Sequence, residues 1–194
     1  MVFSEQTYRV LVVSSAQRFN DTLTAMLPGT DYYPVYFVGN IAAARRELLN
    51  RSYDFVIVNA PLPDDFGTRF AIDACNQAGT VTLLLVRSEL HEEISAKVTT
   101  QGVFTLPKPT SIQMLQQALK WMTSARERIR RLETKATTIE EKMEEIRLVN
   151  RAKWLLIEQL KMTEADAHRH IEKQAMDRCT SRKEIALGII KTYS

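Results

Sequence analysis

Chain breakers and cysteines are scarce in this 194-residue chain, and their placement is lopsided. All six prolines lie at or before Pro109, and of the six glycines only Gly188 lies beyond it. No phenylalanine follows Phe104. The last 85 residues therefore have almost nothing to interrupt a helix, whereas the first 110 have turn residues at regular intervals. No apolar run approaches the roughly 18–20 residues of a membrane helix. The start, MVFSEQTYRVLVV, has neither a basic flank nor a small-residue cleavage site, so no secretory leader is expected. The two cysteines, Cys75 and Cys179, fall in different halves and read as reduced thiols of a cytoplasmic protein. His168 and His170 are two apart, a spacing that points them in different directions on a helix, and no metal site is expected. Catalytic triads, phosphate-binding loops and cofactor motifs are also missing, so neither an enzyme nor a cofactor is expected.

What is present divides along the same line. The net charge of +3 is the sum of −2 over residues 1–110, +1 over 111–146 and +4 over 147–194. The basic excess lies at the C-terminal end, where a polyanionic partner is to be sought. In the first part, β-rich runs recur at Tyr8–Val13, Tyr33–Val38, Asp54–Asn59, Val81–Val86 and Val103–Leu106. They are almost continuously apolar, as strands covered on both faces must be. Helical patterns near 17–27, 40–50, 66–78 and 89–100 separate them. Alternation of this kind predicts an α/β fold with a five-stranded parallel sheet. In such sheets ligands gather at the carboxyl ends of the strands. There the chain places Ser14 and Ser15, Asn59, Arg87, and Lys108 between two prolines.

The loop Ala60-Pro61-Leu62-Pro63-Asp64-Asp65-Phe66-Gly67 after the third strand, with Lys108-Pro109 after the fifth, resembles the flavodoxin-like receiver domain of bacterial response regulators. In that family an acidic pair and an aspartate hold Mg²⁺, and the aspartate accepts a phosphoryl group. The resemblance puts Ser14 and Ser15 at the acidic pair, Asn59 at the acceptor and Arg87 at the switch hydroxyl. Only Lys108 is retained. Mg²⁺ needs hard oxygen ligands and an amide is a poor nucleophile, so the expectation is a receiver-like domain not phosphorylated by the usual route. Arg87 and Lys108 are expected either to bond Asn59 or backbone carbonyls, or to hold a small anion. Asp64 and Asp65 read as turn residues.

From Ser111 the chain reads as one helix to about residue 161, some 75 Å at about 1.5 Å per residue. An unbroken heptad pattern places Leu115, Met122, Ile129, Ala136 and Met143 at position a, and Ala118, Ala125, Leu132, Ile139 and Ile146 at d. This predicts a coiled-coil dimer seam through Leu115, Met122, Ile129, Leu132, Ile139, Met143 and Ile146. Flanking charges favour a parallel homodimer: Arg128 and Lys135 then face Glu133 and Glu140 of the second copy, against one repulsive pair, Lys142 with Arg147, whereas an antiparallel pair would set the basic Arg128, Lys135 and Lys142 against one another. A helix packed on its own domain is the alternative for this stretch.

Thr163-Glu164-Ala165-Asp166 caps a further helix of about 164–177, and Ser181 with Glu184 forms a capping box for another. Together with the end of the long helix they make a small three-helix all-α unit. Its residues Ala152-Lys153, Leu155-Leu156, Met162-Thr163-Glu164-Ala165-Asp166-Ala167, Gln174-Ala175-Met176-Asp177-Arg178 and Ile185-Ala186 resemble the ANTAR domain, an RNA-binding antiterminator module. Trp154 stands where that family often has a small residue, and Lys161 where it often has glycine. Trp154 reads as core packing or as a stacking platform, and Ala175 and Met176 as packing. The resemblance implies binding to paired stem-loops in mRNA leaders, which keeps a terminator hairpin from forming. Lys153, Arg169, Lys173, Gln174, Arg178, Arg182 and Lys183 are the expected RNA contacts.

The expected organisation is a pseudo-receiver over residues 1–110, a coiled-coil helix over 111–146 and an ANTAR domain over 147–194. The expected partners are RNA, a second copy of the chain and a regulatory protein, with no membrane. A DNA-binding response regulator and a protein-interaction scaffold are the competing readings.

Overall fold

A computed structural model describes residues 7–193. The first six residues, on which the expectation of no leader partly rests, lie outside it. The chain forms two compact units, residues 1–130 and 131–194.

The first unit is built on five parallel strands: β1 (Tyr8–Val13), β2 (Tyr32–Val38), β3 (Phe55–Asn59), β4 (Val81–Arg87) and β5 (Phe104–Lys108). Their order across the sheet is β2-β1-β3-β4-β5. The helices between them are α1 (Gln17–Met26), α2 (Ile41–Asn50), α3 (Thr68–Cys75) and α4 (Ser88–Val98). Successive strand residues point to opposite faces, so each apolar run feeds two cores. Leu11, Val13, Val56, Val58, Leu84 and Val86 pack with Ile41 and Ala44 of α2, Phe70, Ala71 and Ala74 of α3, and Ile94 and Val98 of α4. Val10, Val12, Phe55, Ile57, Leu83 and Leu85 pack on the other side with Leu23 of α1. Both faces are covered, as the runs without polar alternation required.

A fifth helix, α5 (Ile112–Leu160), is 49 residues long and belongs to both units. Ser111 starts it, its Oγ accepting the Met114 amide at 3.1 Å. Its first turns complete the second core: Leu115, Ala118, Leu119 and Met122 are buried against the sheet, with Ala125 and Ile129 half-buried beside them. This corrects the seam expected from the heptads. Leu115 and Met122 are interior residues of their own domain and closed to a second chain, and Ile129 is half-buried against the same core. A helix covering a sheet needs the same apolar stripe as a helix facing another helix, and the stripe does not say which surface it meets. The open part of the seam is Leu132, Ile139, Met143 and Ile146, whose exposure runs from 48% to 61%.

The second unit adds α6 (Glu164–Asp177) and α7 (Arg182–Tyr193) to the end of α5. Ala152 and Leu156 of α5, Ala167, Ile171 and Ala175 of α6, and Ile185, Ala186 and Ile189 of α7 form its core. Both expected caps are present: Thr163 Oγ1 accepts the Asp166 amide and Ser181 Oγ accepts the Glu184 amide, each at 3.2 Å. Lys161, at the position where glycine resembled the better fit, has φ +56°. That left-handed backbone costs a side-chain-bearing residue about 1–2 kcal/mol. Among the described residues no helix is long and apolar enough to cross a membrane.

Candidate functional site

Two regions hold the residues singled out from the sequence. The first is the carboxyl edge of the sheet. Because β1 and β3 are neighbours, Ser14 just after β1 and Asn59 at the end of β3 come side by side. Both are buried. Asn59 Nδ2 donates to Ser14 Oγ at 3.0 Å, and Ser14 Oγ also accepts the Ala16 amide at 3.2 Å. From β5, Lys108 Nζ reaches across and donates to Asn59 Oδ1 at 2.7 Å and to the carbonyl of Ala60. Burial first, and the nearby Arg87 charge second, draw the Lys108 pKa below the ordinary lysine range. The ammonium has exchanged part of its hydration for two carbonyl oxygens.

This arrangement is closed on itself. Where three carboxylates would create a demand for a divalent cation, the cluster holds one ammonium, one amide and one hydroxyl, joined by hydrogen bonds. Ser15 and Arg87 are exposed at its rim. Ser88 Oγ donates to the Lys108 carbonyl at 2.8 Å, tying α4 to β5. Among the described residues no group of acidic, histidine or cysteine side chains is arranged to hold a metal.

The nearby acids serve the fold. Asp64 accepts the amides of Ile41 at 3.0 Å and Ala42 at 2.9 Å, capping the start of α2, where Asn40 Oδ1 also accepts the Ala43 amide. Those backbone donors hold the Asp64 carboxyl below its usual pKa. Asp65 accepts the Gly67 amide. Gly67 has φ +89°, and a Cβ there would meet Val58 Cγ1 at 3.0 Å, so glycine is required on both grounds. Asp65 is a turn residue, as expected, whereas Asp64 differs from that reading, because its carboxylate caps a helix that precedes it in the chain.

The second region is the three-helix unit. Its seven singled-out polar residues do not form one set. Lys153 pairs with Glu164 at 3.0 Å and Arg169 with Asp166 at 3.2 Å. Arg182 bridges to Glu145 at 3.1 Å, and Lys183 pairs with Glu144. Arg182 and Lys183 therefore fasten the first turn of α7 to α5. Gln174 and His170 are in hydrogen-bond contact at 2.7 Å. Lys173 and Arg178 are exposed, and among the described residues their side chains have no hydrogen-bond or ion-pair partner.

Two apolar expectations also separate. Ala175 is buried in the core, whereas Met176 is 78% exposed beside it in sequence. Trp154 is 70% exposed and is not part of the core. It lines a groove of about 480 Å³ with Asn150, Lys153, Ile157, Met162, Thr163 and Glu164. Sequence reasoning missed the acids that occupy the cations. Glu144 and Glu145 lie some 40 residues from their partners, at positions off the heptad seam, and nothing local marks them.

The family model of the ANTAR domain matches residues 137–190. The transcriptional regulatory protein PdtaR of Mycobacterium tuberculosis is 28% identical over 184 residues, covering 95% of this chain and 90% of that protein. Among solved structures, a CheY-like receiver domain protein from Methanospirillum hungatei superposes with a TM-score of 0.55 at 19% identity, over 63% of this chain and 98% of its own. The signal receiver domain of an HD domain-containing protein from Pseudomonas fluorescens gives 0.57 at 24% identity, over 68% and 96%. At those identities the structures establish the receiver fold alone.

Proposed function

We propose that this chain, a receiver fold followed by a match to the ANTAR domain, is an RNA-binding transcription antitermination regulator of the ANTAR response-regulator type. It acts in the cytoplasm by binding, without catalysis. Two modules, carried by a parallel homodimer, engage two adjacent stem-loops in nascent mRNA and keep a terminator from forming. Hairpin loops suit such a reader because their bases are unstacked, unlike those in the deep major groove of A-form RNA. Linking two modules raises the effective concentration for the second loop.

The observation that carries this reading is the three-helix unit itself, with its ANTAR match and with Lys173 exposed near the end of α6 and Arg178 exposed just after it. These two lead the RNA contacts, and Lys153, Arg169, Arg182 and Lys183 join only by leaving their carboxylates. Activity is not controlled by phosphorylation of the usual kind. The closed cluster of Ser14, Asn59 and Lys108 supports that view. Control then falls to a regulatory protein partner, a small ligand or abundance.

Filter binding of the full chain tests the proposal. RNA with two adjacent hairpins is expected to bind tightest, a single hairpin more weakly and duplex DNA least. Preference for duplex DNA would return the DNA-binding reading. No nucleic-acid binding at physiological salt would leave a protein-interaction scaffold.

A further inference from the structure

The open seam on α5 does not end where its heptads do. Leu132, Ala136, Ile139, Met143, Ile146, Asn150 and Trp154 follow at intervals of four, three, four, three, four and four. At about 100° per residue all seven fall within an arc of about 80° on one side of the helix. All seven are exposed. The buried residues of α5 in this unit, Ala152 and Leu156, lie on a different side, turned to α6 and α7.

We propose that this strip is a single interface with a second, parallel copy of the chain, running from Leu132 to Trp154. The inference rests on the dimer in the proposed function and extends it into the RNA-binding unit. Two consecutive steps of four, at 146–150–154, replace the seven-residue repeat by eleven-residue spacing. Such an insertion locally unwinds a left-handed supercoil and keeps the apolar strip in line. Trp154 thereby comes into the seam, where position d of the strict heptad would place the charged Lys153. Asn150 is the polar residue within it, and a buried asparagine at such a position selects a parallel, in-register pair. The next residue on the strip, Ile157, is half-buried against the core of its own unit, which ends the seam.

The occupant is a second copy because the strip continues a seam in which two flanking pairs, Arg128 with Glu133 and Lys135 with Glu140, attract across parallel copies, against one, Lys142 with Arg147, that repels. A nucleobase stacked on Trp154 is the competing occupant, but the adjoining cation, Lys153, is paired with Glu164. Covering a tryptophan that is 70% exposed on both chains gives the interface its largest apolar contact.

The test uses the full-length Trp121→Phe variant, which leaves Trp154 as the only tryptophan. Sedimentation equilibrium and tryptophan emission are followed over the same concentration series, first without RNA and then with a two-hairpin RNA. The emission maximum is expected to move to shorter wavelength in step with dimer formation, before RNA is added. Trp154→Ala in the wild-type chain should weaken dimerisation at least tenfold. A dimer whose Trp154 emission does not move overturns the extension and ends the seam at Ile146. A shift that appears only with RNA gives the residue to the RNA face and likewise overturns it. Absence of any dimer removes the dimer reading itself, a separate outcome visible in the sedimentation data.

Discussion

Asp54 Oδ1 accepts a hydrogen bond from Arg126 Nε at 2.8 Å, joining the residue before β3 to the fourth turn of α5. The other carboxylate oxygen accepts the Arg9 amide at 2.9 Å. Arg130, one turn on, lies 3.7 Å from Asp54 and also pairs with Glu127, which accepts from the Tyr8 hydroxyl at 2.8 Å. Burial, then the Glu127 hydrogen bond, push the Tyr8 pKa up to about 12. This network fastens α5 to the amino edge of the sheet, opposite the edge where Lys108 sits. Asp54→Ala leaves Arg126 facing a half-buried void. It should cost about 2–3 kcal/mol, somewhat below the loss from a fully buried pair. Urea unfolding of the full chain, followed by far-ultraviolet circular dichroism, measures it. A loss below about 0.5 kcal/mol would mean the network is only a surface feature.

Met122, at position a, and Ile139, at position d, both fall on the heptad seam, but the structure separates them: Met122 is buried and Ile139 is exposed. Met122→Ala removes packing from the core of the first unit and should destabilise that unit by about 2–5 kcal/mol. Ile139→Asp should leave the thermal midpoint of the first unit unchanged and shift the chain toward monomer in sedimentation. If Met122→Ala instead dissociates the dimer without loss of stability, the assignment of the two stripes is reversed.

Asn59→Asp alone should not restore phosphorylation, because Ser14 and Ser15 offer no carboxylate to Mg²⁺. Combining it with Ser14→Asp and Ser15→Asp should produce a hydroxylamine-sensitive, Mg²⁺-dependent adduct from acetyl phosphate, read by mass spectrometry. A Mg²⁺-dependent adduct on the unaltered protein at this edge would show that the cluster is not closed.

Removal of Lys173 and Arg178 together should weaken RNA binding and lower the slope of log K against log salt by about 1–2 units, as loss of two phosphate contacts requires. Arg182→Ala and Lys183→Ala should act differently. Each breaks a bridge to α5, so the effect falls first on stability. Equal salt slopes for the wild type and the first pair would remove Lys173 and Arg178 from the interface.

Asp64 sets a pH dependence. Its pKa is lowered in the folded state by the amides of Ile41 and Ala42, so its contribution is fully present above the unfolded carboxylate value, about 3.9. That contribution is lost as pH falls through the lower folded value. Thermal melts of wild type and Asp64→Ala should therefore differ at pH 7, and the difference should shrink as pH falls below the unfolded carboxylate value. A difference that does not shrink at all on acidification would place the effect in packing.

The limits of sequence reading show at particular residues. The five strands were legible because Val10 to Val13, Phe55 to Val58 and Leu83 to Val86 are apolar without alternation, which only a sheet covered on both faces explains. The caps at Thr163 and Ser181 were legible because capping acts within three residues. Lys108 and Asn59 were legible as neighbours, since strand order places every carboxyl end on one edge. The fate of Lys108 was not, because an ammonium between two carbonyl oxygens and an ammonium holding an anion need the same residue.

The sequence by itself determined the elements, their order and the division into a strand–helix part and an all-helical part, because these follow from local periodicity and the placement of breakers. Tertiary structure decided how each surface is used. It turned Leu115 and Met122 inward onto the sheet, left Leu132 to Ile146 open, exposed Trp154, and engaged Arg182 and Lys183 with Glu145 and Glu144. An apolar stripe or a cation states only what it needs to meet, and the partner that meets it is fixed by packing between residues far apart in the chain.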